Sequence, residues 1–171
     1  MTKEAVITEV RIRNTLAVTE QLDDAPAAGN TVVSSFDVAA TRLTASTTPP
    51  ATRAVHQRLE LASDVSGDPS ASVEIDLLDL EGLQDNFSAA GLKLQVLRVT
   101  HDPDNEGDLS IAPGAANGYD LFGGDNGVTV PAGGRLTMEF NDRAPDVGAS
   151  ARYIDLDGTD GDTIDLEMIF G

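Results

Sequence analysis

An all-β domain, built as an antiparallel two-sheet sandwich of jelly-roll-like form, follows from three features of this chain. Short runs alternate apolar and polar residues throughout its 171 positions, with Gly, Pro, Asp and Asn between them, and a period of two marks a half-buried strand. The last five runs recur at about 8–12-residue spacing with turn residues between, the pattern of a sandwich or barrel. The final run, Asp162 to Phe170, continues to Gly171; an apolar strand at a terminus is expected to pair into a sheet, because loose it would be an adhesive edge. About ten strands without an internal repeat or a linker-like boundary give a single domain over residues 1–171, with 1–13 as an N-terminal arm or edge strand.

The elements follow in order. Ala5 to Arg13 alternates Val6, Thr8, Val10 and Ile12 against Ile7, Glu9, Arg11 and Arg13. Leu16 to Leu22 is a second strand or its continuation, and Asp23 to Asn30 is a loop by composition. Thr31 to Val38 and Arg42 to Ser46 read as strands, and the Pro49-Pro50 pair keeps Ser46 to Thr52 out of a sheet interior. Ala54 to Ala62 sets Val55, Gln57, Leu59 and Leu61 against His56, Arg58 and Glu60. Ser72 to Leu80 alternates over its first half after an Asp-, Gly- and Pro-rich turn.

Glu81 to Gly91 is the one stretch with helical spacing, at Leu83, Phe87 and Ala90, and Gly91 suits a C-terminal cap. The spacing predicts one short helix there, held by packing because it is too short to stand alone. Leu92 to Thr100 is the best core strand. Strands are then expected at 107–112, 119–122, 127–130, 135–140, 151–156 and 162–170. The expected core is Val10, Ile12, Val55, Leu59, Leu61, Val73, Ile75, Leu94, Val96, Val99, Leu136, Met138, Ile154, Ile164, Leu166 and Met168.

Composition excludes several function classes. The net charge is −18, from 29 acids against 11 bases. Nucleic-acid binding needs basic surface to displace counterions from phosphates, and anionic membranes attract basic segments, so neither partner is expected. Asp outnumbers Glu, and the only lysines are Lys3 and Lys93, a balance that suits either salty surroundings or a GC-rich genome. The absence of cysteine rules out disulfides and thiolate chemistry. The first nine residues carry charges where a signal peptide has its apolar stretch, and no apolar run is long enough to span a bilayer.

Two acid-rich segments are candidate sites. In His101 to Asp108, residues Asp102, Asp104 and Glu106 take alternate positions of a calcium-loop pattern, with Gly107 at its turn and Asp108 next. These four acids are the candidate Ca2+ ligands. The twelfth position is Pro113 rather than a bidentate Glu, and strands flank the loop. The second segment, Asp155 to Asp162, has four Asp in eight residues without that register. Asp-Gly pairs also arise in ordinary hairpin turns. No other cofactor is expected.

His56 and His101 are too far apart in sequence for a cupin-type metal site, and both read as solvated surface residues. No Gly-x-Ser-x-Gly elbow supports a nucleophilic Ser. With 29 acids a pair of carboxylates carries no information on glycoside hydrolysis. Gly123-Gly124 and Gly133-Gly134 precede no helix, so neither is a phosphate loop. A glycan-binding module, calcium-stabilised or not, would need Tyr119 or Tyr153 as its exposed aromatic platform, since the chain has no Trp.

From Ser72 onward the order of pieces carries a resemblance. A strand ending Ile75-Asp76-Leu77 is followed by Asp79-Leu80 and the Leu83 to Ala90 segment. The Lys93 to Val99 strand, a loop with Ala116-Asn117-Gly118-Tyr119, the Pro131-Ala-Gly-Gly134 turn and a last strand ending on Gly171 come next. This resembles the small β-sandwich structural and decoration proteins of tailed-bacteriophage virions, over about 100 residues. The resemblance implies a non-enzymatic capsid decoration, cement or other accessory head or tail subunit. It implies location in the virion, a homo-oligomer (a trimer or other ring), and a major capsid or tail protein as partner. The alternative is the carbohydrate-binding module, and a carboxylate hydrolase is the third reading.

Arg11, Arg13, Arg42, Arg53 and Arg58 fall in the first third of the chain, and most Asp clusters in the last third. These five arginines are the candidate partner interface, because a guanidinium binds carboxylates bidentately. The Asp-rich turns are expected to face solvent.

Overall fold

The computed structural model describes the strands at 10–12, 15–21, 31–37 and 41–43, and residues 51–171 except 82–85, 125 and 141–142. The first four strands are β1 (Val10–Ile12), β2 (Thr15–Gln21), β3 (Thr31–Asp37) and β4 (Thr41–Leu43). They form two separate antiparallel pairs, β1 with β4 and β2 with β3. The body comprises β5 (Arg53–Glu60), β6 (Ser70–Asp76), β7 (Leu80–Glu81), β8 (Asn86–Phe87), β9 (Leu94–His101), β10 (Asp108–Pro113), β11 (Val128–Pro131), β12 (Arg135–Glu139), β13 (Tyr153–Thr159) and β14 (Thr163–Phe170).

Two four-stranded antiparallel sheets pack face to face, one ordered β12-β9-β14-β5 and the other β11-β10-β13-β6. The fold is therefore all-β and sandwich-like, with an antiparallel architecture as expected. In β14 the alternation is complete: Ile164, Leu166, Met168 and Phe170 are buried while the residues between them are half-exposed. Each such burial contributes roughly 1.5–3 kcal/mol. Facing them from the second sheet are Ile75, Leu109, Ile111, Val130, Ile154 and Leu156.

The register of β9 slips against Phe170, where Leu94 rather than Gln95 is the partner. The extra residue is a bulge, which resets the side-chain alternation. It explains why both Leu94 and Leu97 reach the core although three positions separate them.

Most expected core residues are buried, including Val55, Leu61, Ile75, Leu94, Val99, Ile154, Ile164, Leu166 and Met168. Leu59, Val73 and Leu136 are partly buried against the cluster, and Met138 is half-buried on the edge strand β12. Val96 is buried but sits on the opposite face of β9 from the core, in register with Ile169. The side chains of Val10 and Ile12 lie outside the described residues.

The expected helix over 81–91 is corrected. Among the described residues there is none; Leu80–Glu81 and Asn86–Phe87 pair as a small hairpin instead. Phe87 packs edge-to-face on Phe170, with ring centroids 6.1 Å apart, so packing against the core overrides weak helical spacing. Gly91 ends a turn rather than a helix: its φ is 75°, and its N–H donates to Val147 O at 2.9 Å. No helix among the described residues is long and apolar enough to cross a membrane.

The expected strand over 119–122 is also corrected. Tyr119 lies in a loop and is fully buried. Its hydroxyl donates to Pro145 O at 2.7 Å and accepts from Leu94 N–H at 3.1 Å, joining three segments at one end of the sandwich. Desolvation pushes the phenol up to about 12. At the same end, Arg152 forms a two-point ion pair with Asp76, with Nε donating to Oδ1 at 2.8 Å. The Arg152 guanidinium also stands 4.6 Å from the Tyr153 ring centroid.

Two outcomes test this end. Replacing Tyr119 with Phe removes the buried partner of the Leu94 N–H and the part-buried partner of the Pro145 carbonyl, and should cost about 1–3 kcal/mol in denaturant unfolding. Because the folded phenol is raised above its ordinary value, its contribution is complete below pH 10 and is lost as pH rises towards about 12. The Phe variant should lose that alkaline decline. Arg152 holds the Asp76 carboxyl below its ordinary 3.8. This contribution is present above that value and lost on acidification below it, so Asp76→Asn should flatten the acid limb of a stability–pH profile.

Candidate functional site

Register places four connections at one end of the sandwich: 61–69, 102–107, 132–134 and 160–162. Two buried polar side chains, His101 and Asp162, stand at this end. His101 was expected on the surface; it is fully buried, and Asp162 is 2% exposed. The cause is strand parity. His101 continues the inward series Leu97 and Val99, and Asp162 stands two positions before the inward Ile164. Alternation in the sequence carried this signal.

His101 Nδ1 lies 3.2 Å from Val130 O, and Nε2 lies 3.4 Å from Asp162 Oδ2. Both neighbours are acceptors, and a neutral imidazole carries a single N–H. The second contact is a close approach without hydrogen-bond alignment. Asp162 itself accepts from Thr159 N–H at 2.9 Å through Oδ2 and from Glu106 N–H at 3.3 Å through Oδ1. A Cβ on Gly158 would stand 3.0 Å from that Oδ2 and 2.8 Å from Leu61 Cδ1, so a larger residue there would force Leu61 to shift.

The 102–107 connection is held in the same way. Asn105 donates from Nδ2 to Thr163 O at 2.8 Å and accepts from Thr163 N–H at 2.9 Å, extending the sheet with a side chain. Asp102 accepts from Asp104 N–H at 3.1 Å and from Arg58 at 3.1 Å. The first of these contacts, with Arg58 assisting, keeps its carboxyl below the ordinary range.

Of the other candidate calcium ligands, Asp104, Glu106 and Asp108 are exposed. Among the described residues no group of three or more His, Asp or Glu side chains is gathered as a metal site. The second acid-rich segment is not one loop: Asp155 and Asp157 lie on β13, Asp160 is in the turn, and Asp162 is buried. The expectation that all its acids face solvent is corrected at Asp162.

Of the candidate interface arginines, Arg53 and Arg58 lie on β5. Arg58 pairs with Asp102 at 3.1 Å and Asp165 at 3.4 Å on the outer face of the first sheet. Arg53 stands over the Phe87 ring at 5.5 Å. Arg11 and Arg42 are register partners across β1 and β4. Arg13 lies outside the described residues.

The two outer faces differ in charge. On the first sheet, Arg58, Arg98 and Arg135 alternate with Asp165, Glu167 and Glu139; Arg98 pairs with Glu167, and Arg135 donates to Thr100. The outer face of the second sheet carries Glu74, Asp76, Asp108, Asp155 and Asp157 among Ser72, Ser110 and Thr129. Desolvation, then the neighbouring Asp155, raises the Asp157 carboxyl. Beside it lies an open hollow of about 290 Å³ under the 61–69 connection.

Of the two tyrosines, Tyr119 is buried and Tyr153 is half-buried with the Arg152 guanidinium over its ring. Comparison with protein-family models, curated proteins and solved structures returns no match.

Asp162→Asn tests the buried pair. Both carboxylate oxygens accept backbone N–H groups, so an amide nitrogen must face one of those donors. Asp162→Ala leaves the Thr159 and Glu106 N–H groups without this acceptor and should cost about 1–3 kcal/mol for each donor left unsatisfied. The amide variant should also be strongly destabilised in urea melts, although it is nearly isosteric.

Proposed function

We propose that this chain is a non-enzymatic structural subunit of a virion, a capsid decoration or accessory head or tail protein acting as a homo-oligomer on a jelly-roll scaffold. Strand order is the observation that carries the reading. Counting only the eight strands of the two main sheets in chain order, one sheet runs 6-3-8-1 and the other 5-4-7-2. Seven links join these strands, and only β10–β11 is a hairpin within one sheet; the other six pass between sheets. That arrangement fits two interlocked Greek keys, a form used by viral capsid and lectin domains among others. Fold alone hosts many functions. The resemblance in turn residues and strand order from Ser72 onward directs this one to the virion.

A self-association partner and a major capsid or tail protein follow from the same reading. The acidic outer face of the second sheet suits a protein partner presenting basic side chains. It does not suit nucleic acid or an anionic membrane, whose phosphates it would repel.

Quantitative mass spectrometry of purified particles tests the proposal. The chain should be present at a copy number that is a fixed multiple of a capsid or tail symmetry, and the isolated protein should sediment as a closed oligomer. Absence from particles, together with a monomer at every concentration, would refute it.

A further inference from the structure

From the end strand β12 we infer a two-fold interface in which β12 of one copy pairs antiparallel with β12 of a second copy. The inference deepens the homo-oligomer proposed above, rests on that part of the reading, and names the contact that builds it.

Among the described residues β12 is the end strand of its sheet, with β9 on its inner side. His101 N–H donates to Gly134 O at 3.0 Å and Phe140 N–H donates to Gln95 O at 2.9 Å, one bond at each end of the strand. With the observed register, these bonds place Leu136 and Met138 in the hydrogen-bonded pairs with β9. The backbone N–H and C=O of Arg135, Thr137 and Glu139 therefore point the other way, to the sheet edge. Such an edge is a template for a further strand.

Self-complementarity selects a second copy as the occupant. The strand reads Arg135-Leu-Thr-Met-Glu139, and both charged ends are exposed. Antiparallel pairing about Thr137 sets Arg135 opposite the partner's Glu139, and Glu139 opposite the partner's Arg135. On the inner face Leu136 meets the partner's Met138, and each is only half-buried within one copy. Thr137 meets the partner's Thr137 on the axis. Opposite charges, apolar pairs and Thr–Thr pairs at facing positions stabilise an antiparallel ladder. In this register the outward backbone groups of the two strands also face one another. A slip of two residues would break both ion pairs. Glu139 also interacts within its own copy, and a carboxylate accepts from more than one donor. An isologous contact of this kind closes at two copies.

The surroundings permit the approach despite the net charge. The outer face of this sheet balances Arg58, Arg98 and Arg135 against Asp165, Glu167 and Glu139. Strand β11, joined to β12 by the 132–134 turn, carries no charged residue. The other sheet ends suit a second copy less well. Strand β11 ends at Pro131, which has no N–H to give. Strand β6 carries Glu74 and Asp76 without a base. Strand β5 has β7 beside it, where Gln57 Nε2 donates to Glu81 O at 3.4 Å.

Sedimentation velocity of the full chain over a range of concentrations tests the inference. Thr137→Pro removes an N–H that β9 does not use, so the sandwich should stay folded while self-association is lost. Arg135→Glu and Glu139→Arg should each weaken self-association about tenfold or more, because like charges then face each other. Mixing these two charge variants should restore a dimer, since each offers the charge that the other lacks. Circular dichroism checks that every variant keeps its β signature; if the proline variant unfolds, the mixing experiment decides. An oligomer that none of these changes affects overturns this inference and leaves the homo-oligomer standing. A wild-type chain that sediments as a monomer at every concentration overturns both.

Discussion

The strict alternation of β14 is the constraint on which the rest depends. This strand sits inside its sheet with β5 on one side and β9 on the other, and its register fixes both neighbours. A shift of one residue would expose Ile164, Leu166, Met168 and Phe170 together and bury Asp165 and Glu167 instead. No intermediate register relieves that penalty, so β14 sets which residues of β5 and β9 face inward. Phe170 extends the constraint to the β7–β8 hairpin through Phe87, and Asp162 extends it to the loops at the opposite end.

The two ends of the sandwich solve the same problem with different chemistry. Loops must satisfy backbone groups that strands satisfy in pairs. At one end Tyr119, through a single hydroxyl, links Leu94 and Pro145, and Arg152 ties the start of β13 to the end of β6. At the other, Asp162 accepts from the backbone of Thr159 and Glu106, Asn105 exchanges hydrogen bonds with the backbone of Thr163, and His101 fills the last inward position of β9. The Tyr119 end combines a buried phenol with the Arg152–Asp76 ion pair. Acid should therefore loosen the Arg152–Asp76 contact, and strong alkali the Tyr119 contact.

A chain of net charge −18 must also distribute its repulsion. The first sheet does so internally, by interleaving arginines with acids on its outer face. The second pairs Asp76 with Arg152, and the raised Asp157 carboxyl records the local cost of its remaining acids.

Much of the fold was legible in the residues themselves, because a period of two has one structural solution once the apolar positions must be buried. Val55, Ile75, Val99, Ile154 and the β14 series were all placed inward by that rule, and all are buried. The rule also pointed at His101 and Asp162, but polar identity suggested surface, and only tertiary packing shows that each can find partners inside. The 81–91 stretch misled because a helical spacing of three residues is weak evidence beside the packing of Phe87 on Phe170, a contact between segments 83 positions apart. Tyr119 misled for a similar reason: its hydroxyl partners come from two other segments. Alternation is local and survives in one dimension. Pairing order, hydrogen-bond partners across loops and the gathering of acids on one face are relations between distant segments, and the sequence holds no distance between them.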